Sequence, residues 1–152
     1  MSNEPNVIID NKEWKKPRPN VDHDNREFWD GLKAHKFMLW KCKGCGAYYW
    51  PKAYCNKCEN SGAWASNMGW VESSGKGKIF CFNVHHMAFH PAFKDDVPYA
   101  YVLVELNEGP LVSAMLLGTP PDDVHKVGQP VEAVYEDHPK EGFTMLRFRM
   151  AK

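Results

Sequence analysis

Four cysteines arranged as two Cys-x-x-Cys pairs constrain the fold of this chain more than any other feature. Cys42 and Cys45 form the first pair, and Cys55 and Cys58 form the second after an interval of nine residues. Thiolates at this spacing can surround one metal ion tetrahedrally, because each pair holds the ion from a tight turn. We therefore predict that Cys42, Cys45, Cys55 and Cys58 bind a single structural zinc ion.

Two other uses of the same cysteines stay open at this point. The thiols could form disulfides, although paired Cys-x-x-Cys motifs in a cytosolic chain more often bind metal. A rubredoxin-like iron site would use the same four ligands, and ligand type alone does not separate iron from zinc. Four protein ligands leave no position for water or substrate, so the metal is expected to stabilise the fold and not to catalyse a reaction.

The residues around the cysteines indicate how the metal segment is built. Gly44 and Gly46 can take the positive φ values that the first turn needs, whereas Glu59 follows Cys58 and leaves Asn60 as the permissive residue of the second. A module of about 30 residues cannot build a sufficient core alone, so we expect nearby aromatic rings to wrap the metal and to bury it against its neighbours. These rings belong to Trp40, Tyr48, Tyr49, Trp50, Tyr54 and Trp64.

Composition is that of an ordinary globular protein with one domain or two small modules. The chain has 152 residues, and its net charge of zero argues against a surface that neutralises many phosphates. The N-terminal residues lack the basic-then-apolar pattern of a signal peptide. The longest apolar run, Tyr99 to Val104, is far shorter than the roughly 20 residues that span a bilayer. We expect a cytoplasmic protein without membrane association.

The sequence divides into four segments that differ in composition and in predicted secondary structure. The first is rich in proline and polar residues, and we expect it to order only against a partner. In the second, Asp24 and Glu27 form a predicted capping box that opens a short helix ending near His35. The predicted segments are an extended arm at 1–21, a helix at 22–36, a zinc ribbon at 37–66 and an OB-fold domain at 67–152.

Short apolar runs separated by turn residues predict a β-rich C-terminal domain. About five twisted antiparallel strands with one longer connection fit a small closed barrel better than a sandwich, which usually has seven or more strands. The fold prediction is therefore mainly β: a short N-terminal helix, a Cys₄ zinc ribbon and a five-stranded OB-like barrel. The predicted runs are Trp70–Ser73, Lys78–His86, Tyr99–Leu106, Leu111–Leu117, Val131–Glu136 and Thr144–Met150.

No self-sufficient catalytic set is apparent in the sequence. Cys81, the cysteine outside the two pairs, lies in the apolar run Ile79–Phe82, where thiols are commonly buried and inert. A nucleophilic role would require a base beside it, and residues on one strand do not turn toward each other. We expect the chain to perform no chemistry unaided.

A long predicted loop after this strand combines histidines with apolar side chains that have no evident core to enter. A second metal site is an alternative, but no carboxylate joins the histidines before Asp95. Because long structured loops tend to carry function, we predict that this loop contacts a ligand or a partner protein. The predicted contact residues are His85, His86, Met87, Phe89, His90 and Phe93.

The order of these parts resembles the DUF35 family, whose members combine a rubredoxin-like zinc ribbon with an OB fold and are associated with acyl-CoA metabolism. The resemblance covers about residues 22–150. It is carried by Phe28-Trp29 in the helix, the four cysteines, Ser74-Gly75-Lys76-Gly77-Lys78, Val97-Pro98-Tyr99, Glu108-Gly109 and Val127-Gly128-Gln129-Pro130-Val131.

The resemblance implies a small accessory subunit of a thiolase-superfamily protein, in a hetero-oligomer of two large and two small chains. The catalytic residues would belong to the large chain, and CoA or acyl-CoA would be a ligand of the complex. Relatives act with thiolases for aromatic or dicarboxylic acyl-CoA compounds, with acyl-CoA aldolases or with hydroxymethylglutaryl-CoA synthase. The rival interpretation is a nucleic-acid-binding module, since zinc ribbons and OB folds both serve that role, but neutral charge counts against it.

Overall fold

The computed structural model of the chain describes residues 6–58, 67–118 and 126–152. Within these residues, helix α1 (Arg26–Lys33) precedes most of the strands, and a 3₁₀ turn (Pro91–Phe93) lies in the loop after β5. The strands are β1 (Val7–Ile9), β2 (Met38–Cys42), β3 (Tyr48–Tyr49), β4 (Met68–Glu72), β5 (Lys76–His85), β6 (Tyr99–Leu106), β7 (Leu111–Leu117), β8 (Pro130–His138) and β9 (Phe143–Met150).

Five of these strands close into a barrel. β5, β6 and β7 pair in antiparallel succession, and β8 pairs in antiparallel fashion with both β5 and β9. A short parallel contact between β7 and β9 completes the ring. This arrangement confirms the predicted mainly β fold and its OB-like barrel.

Strand β5 begins two residues earlier than the sequence predicted. Gly77 lies inside the strand, and a Cβ added to it would stand only 2.4 Å from the carbonyl oxygen of Glu105. The turn is confined to the residues before it, where Gly75 takes a φ of +68°. Glycine at position 77 therefore serves close strand packing and not the turn.

A register shift bends β5 between Ile79 and Cys81. The extra residue places neighbouring side chains on the same outer surface, as a β-bulge does. Phe80 is 50% exposed and Cys81 is also exposed. The prediction that Cys81 is buried inside the strand is wrong, because regular alternation fails at the bulge.

The barrel core extends into the segment that leads to the metal. Leu32 of α1 and the neighbouring Phe37 and Leu39 are fully buried in the same apolar cluster as the barrel side chains. Each such side chain stabilises the folded state by about 1.5–3 kcal/mol relative to exposure. Barrel members of the cluster include Ile79, Val102, Val104, Val112, Val131 and Phe148.

The N-terminal arm packs against this chain's own barrel. β5 pairs with only the first residues of β8, and β1 pairs in parallel with a later part of β8, Tyr135–Asp137. Trp14 then packs its ring on His138, with centroids 4.6 Å apart. The expectation that the arm orders only against a partner is wrong for residues 6–21, because β8 offers it a free edge.

The helix begins one residue later than the capping box predicted. Asn25 takes the N-cap position, and among the described residues no side chain caps the helix. Asp24 instead accepts a hydrogen bond from Lys52 of the ribbon at 3.3 Å. The predicted box with Glu27 is therefore wrong, since the Asp24 carboxylate is used between segments and not within the helix.

The helix ends with a histidine in a conformation that favours glycine. His35 has a φ of +55°, and the N–H of Lys36 donates to the carbonyl of Gly31 at 2.8 Å, which closes a Schellman turn. The His35 Nε2 atom lies 2.9 Å from Asp137 Oδ2 on β8. The side chain thus ties the helix end to the barrel.

We expect His35→Gly to be about 1 kcal/mol more stable than His35→Ala. Both variants lose the contact with Asp137, but only glycine relieves the left-handed backbone conformation. Urea unfolding of the two variants measures the difference directly. A more stable alanine variant would contradict this account of the helix end.

A buried charge cluster joins β8 to β9. Glu136 Oε1 lies 2.9 Å from Arg147 Nη2 and 2.9 Å from His138 Nε2. Burial alone would raise the pKa of the Glu136 carboxyl, but Arg147 and His138 outweigh it, and the pKa lies below its usual value. The ionised carboxylate therefore stabilises the fold above the pKa that it has in the unfolded chain.

We expect Glu136→Gln to reduce the free energy of unfolding by about 3 kcal/mol at pH 7, because it leaves Arg147 buried without its charge partner. A depressed pKa contributes stability that disappears as pH falls, so the difference from wild type should shrink below about pH 4. Urea titrations at several pH values test both points. A difference that stays constant down to about pH 3 would contradict a lowered pKa of Glu136 in the folded protein.

Candidate metal centre

The first cysteine pair lies at the end of strand β2. Cys42 is the last residue of the strand, and its carbonyl accepts the N–H of Gly46 at 2.9 Å. The N–H of Cys42 donates to the carbonyl of Ala47 at 2.8 Å, which leads the chain into β3. Gly46 has a φ of +76°, but Gly44 is not among the residues with positive φ, so only one of the two glycines behaves as predicted.

The second pair is reached through β3, which lies antiparallel beside β2 with Trp40 opposite Tyr49. Trp40 donates its indole N–H to the carbonyl of Ala53 at 3.0 Å and thereby positions the chain just before Cys55. The predictions about Glu59, Asn60 and Trp64 fall outside the described residues.

All four cysteine sulfurs lie within 4.8 Å of one another. The Sγ–Sγ distances are 3.5 Å between Cys45 and Cys55, 3.6 Å between Cys55 and Cys58, and 3.7 Å between Cys42 and Cys58. These separations are far too long for disulfides, whose sulfur atoms are about 2.0 Å apart. A tetrahedral ion with bonds of about 2.3 Å would set the sulfurs about 3.8 Å apart, so the four residues fit zinc.

Hydrogen bonds prepare one of these sulfurs to act as a ligand. The hydroxyl of Tyr49, 3.3 Å from Cys55 Sγ, and the backbone N–H of Lys57 lower the pKa of the Cys55 thiol to about 6. The thiolate is the form that binds metal. The tertiary structure therefore adds Tyr49 to the site, a role that the aromatic content of the segment could not assign to one ring.

The aromatic rings near the metal divide between two cores. Trp40 is buried with Cys42, Cys55 and Met68 in a small cluster around the cysteines. Rings that pack instead against the barrel core are those of Tyr48 and Trp50, while Tyr54 is 61% exposed. Tyr48 and Trp50 therefore bury the ribbon against its neighbour, the barrel, while Trp40 and Tyr49 pack around the cysteines. Tyr54 is not a member of either cluster.

The predicted contact loop is anchored at its base and exposed at its tip. His85 stacks on Tyr99 with centroids 4.8 Å apart, and Phe93 lies 6.0 Å from the same ring. Met87 is 67% exposed and Phe89 is 86% exposed. Among the described residues, no cluster of three metal-ligand side chains includes His85, His86 or His90, and their contact with a partner or CoA stays a prediction.

An anchor of this loop comes from the N-terminal arm, which the sequence did not indicate. Lys16 Nζ lies 5.2 Å from the Trp14 ring centroid and 5.3 Å from that of Phe93. It also forms an ion pair of 2.6 Å with Asp96. A lysine between two rings and a carboxylate holds the arm and the loop together.

Both halves of the chain match known families. The family model for the ChsH2 rubredoxin-like zinc ribbon domain matches residues 29–64, and that for the ChsH2 C-terminal OB-fold domain matches residues 70–136. A "DUF35 domain-containing scaffold protein" from Methanocaldococcus jannaschii is 32% identical over 116 residues, which span 75% of this chain and 78% of that relative. The chain belongs to the DUF35 family. Its zinc-ribbon and OB-fold parts are as predicted, and the four cysteines of this DUF35 protein support a structural zinc ion.

Other relatives are named as part of an aldolase and as alpha subunits of hydratases for CoA compounds. The solved structure "Ltp2-ChsH2(DUF35) aldolase" superposes with a TM-score of 0.74 at 30% identity, covering 89% of this chain and all of that one. A "3-oxo-4,17-pregnadiene-20-carboxyl-CoA hydratase alpha subunit" from Mycobacterium tuberculosis is 34% identical over 125 residues, 80% of this chain. A "Probable enoyl-CoA hydratase alpha subunit" from Thermomonospora curvata is 32% identical over 116 residues, 76% of this chain. The chain spans only 37% and 34% of the lengths of these two hydratase subunits.

Across residues 6–58, 67–118 and 126–152, no helix has the length and apolar character needed to cross a membrane.

We expect Cys55→Ser to lose bound zinc and to unfold the ribbon around it, because structural zinc supplies much of the folding free energy of such small modules. The barrel should persist, since its apolar cluster is separate from the cluster around the cysteines. Zinc analysis and hydrogen exchange measure the two effects. Cys81→Ser is the matched control and should keep the metal, whereas equal exchange in ribbon and barrel would contradict this division.

Proposed function

We propose that this DUF35 protein is a non-catalytic, zinc-binding subunit of a cytoplasmic thiolase-type acyl-CoA acyltransferase complex. The observation that carries the proposal is a closed four-cysteine site on a chain whose relatives are named as part of an aldolase and as the alpha subunit of a carboxyl-CoA hydratase. A metal with four protein ligands has no open position for a substrate. Its role is then architectural, and the chemical step belongs to the large partner chain.

In this function the partner's cysteine thiol takes the acyl group of an acyl-CoA and releases CoA, or takes the acyl group of a 3-oxoacyl-CoA and releases the remaining thioester. A second thioester in the first case, or CoA in the second, then accepts the acyl group and frees the cysteine. The DUF35 subunit stabilises the partner and covers part of the acyl-CoA site. Aromatic and dicarboxylic acyl-CoA compounds are the substrate classes that the family resemblance suggests. Two large and two small chains form the proposed assembly.

The exposed loop is suited to contact with the partner. Protein interfaces depend on a few large side chains that enter pockets, and rigid presentation lowers the entropic cost of binding. Met87 and Phe89 project from a loop whose base is fixed by the His85–Tyr99 stack and by Lys16. We propose these two side chains as the main anchors, with His86, His90 and Phe93 at their margin.

A cleft beside the helix is our candidate for acyl-CoA contact. It has a volume of about 340 Å³ and lies between the start of α1 and the ribbon, with Phe28, Trp29, Trp50 and Trp70 among its lining residues. Apolar clefts with a few polar groups are typical of small-molecule sites. Its aromatic walls suit the pantetheine arm, and its charged lining residues are Lys52, which is paired with Asp24, and Asp22.

Two alternative functions lead to different observations. A partner with aldolase, hydratase or hydroxymethylglutaryl-CoA synthase chemistry would leave the subunit's role unchanged, and the names of the aldolase and hydratase relatives favour this variant. A nucleic-acid-binding module would bind oligonucleotides with an affinity that falls steeply with salt. Indifference to oligonucleotides would exclude it, and the net charge of zero favours that result.

We expect the chain, co-expressed with a thiolase-like protein of the same organism, to co-purify as a complex of two plus two chains that is active only when both are present. Native mass measurement and an acyl-CoA thiolysis assay test this. A fully active isolated subunit, or a large chain that works equally well alone, would refute the proposed function.

The anchor residues give a sharper test of the interface. We expect Met87→Ser combined with Phe89→Ser to weaken the complex at least about 30-fold, since two exposed apolar anchors contribute about 1 kcal/mol or more each. Val127→Ser is the matched control, because Val127 is 68% exposed but lies outside the loop. Equal affinity of the double variant and the control would exclude the loop as the interface.

A further inference from the structure

We propose that Tyr49 is a positioning residue of the metal centre and that its hydroxyl slows loss of the ion by holding Cys55. The inference depends on the four-cysteine site and not on the identity of the partner. Outer groups of this kind orient metal ligands, and their removal commonly costs about 10–100-fold in metal affinity.

The Tyr49 hydroxyl makes three contacts at the second cysteine pair. It lies 3.3 Å from Cys55 Sγ and 3.0 Å from Asn56 Oδ1, and it accepts the backbone N–H of Asn56 at 3.1 Å. The hydroxyl oxygen therefore joins a ligand atom to the backbone of the turn that carries it. Tyr49 itself is fixed on β3 by pairing with Trp40 of β2.

The Tyr49 hydroxyl must choose between two acceptors when metal is bound. A tyrosine hydroxyl has one hydrogen to donate, yet two acceptors lie within reach, Cys55 Sγ and Asn56 Oδ1. A metal-bound sulfur carries negative charge, and hydrogen bonds to charged acceptors are about twice as strong as neutral ones. Asn56 is exposed, so water can satisfy its amide. The Tyr49 hydroxyl therefore donates its hydrogen bond mainly to the Cys55 sulfur.

Two consequences follow for the metal. The bond fixes the direction of the Cys55 sulfur, which keeps the ligand on the ion during fluctuations of the turn. It also withdraws charge from the sulfur, which changes the electronic spectrum of any metal bound there. A tyrosine that served packing alone would produce neither effect when only its oxygen is removed.

The adjacent tyrosine offers a matched control on the same short strand. Tyr48 packs against the barrel core, and its ring centroid lies 4.8 Å from Lys41 Nζ. Among the described residues, Tyr48 forms no hydrogen bond with a cysteine of the cluster, whereas Tyr49 bonds to Cys55. Tyr48→Phe therefore removes the same hydroxyl group as Tyr49→Phe, at the neighbouring position on the strand.

The experiment uses the full chain loaded with zinc or with Co²⁺, in the variants Tyr49→Phe and Tyr48→Phe. Transfer of zinc to an excess of a coloured chelator gives the release rate, and the sulfur-to-cobalt charge-transfer bands report the charge on the ligands. We expect Tyr49→Phe to release zinc about 10–100 times faster with shifted bands, and Tyr48→Phe to stay within about twofold of wild type with unchanged bands. Circular dichroism checks that each variant keeps the barrel.

Release from Tyr49→Phe within about twofold of wild type, with unchanged cobalt bands, would overturn the proposal. So would equal acceleration in both variants, since that result would indicate general loosening of the strand. If Tyr49→Phe does not fold, Tyr49→3-fluorotyrosine decides the question, because it keeps the ring and makes the hydroxyl a stronger donor. Slower release with shifted bands then supports the proposal, and an unchanged rate overturns it.

Discussion

The architecture depends on one apolar core that the barrel shares with the base of the ribbon. Strand β2 lies at the boundary: Leu39 enters the barrel core, while the adjacent Trp40 and the later Cys42 face the cysteines. Alternation along a strand sends successive side chains to opposite faces, so five residues serve two cores. The metal centre is thereby attached to the barrel by packing and does not hang from a flexible linker.

The two cores are stabilised in different ways. The barrel buries many aliphatic and aromatic side chains, enough to order its strands without help. The four buried residues around the metal, including Trp40 and Met68, are too few to order their loops by burial alone. A metal bound to four thiolates supplies the missing cross-link, and the hydroxyl of Tyr49 extends it to the turn. A metal that cross-links the fold through four protein ligands has no position left for a substrate.

The contacts that we propose with other molecules lie on two parts of the surface. An arm that could have stayed free is paired on β8, and its Lys16 stabilises the loop that carries Met87 and Phe89. Large apolar side chains are exposed there on a fixed base, as is common where one protein inserts into another. The cleft walled by Trp29 and its neighbours lies at the helix–ribbon junction, where a small ligand could enter.

The sequence by itself determined the metal ligands and the barrel class, because ligand spacing and strand alternation are local. The hairpin strands β6 and β7 coincide with the predicted runs for the same reason. Only the tertiary structure decided that Cys81 is exposed, that the arm is paired and that Tyr49 reaches Cys55. A bulge, a free strand edge and a contact across a turn arise from pairing between distant segments, which local patterns do not record.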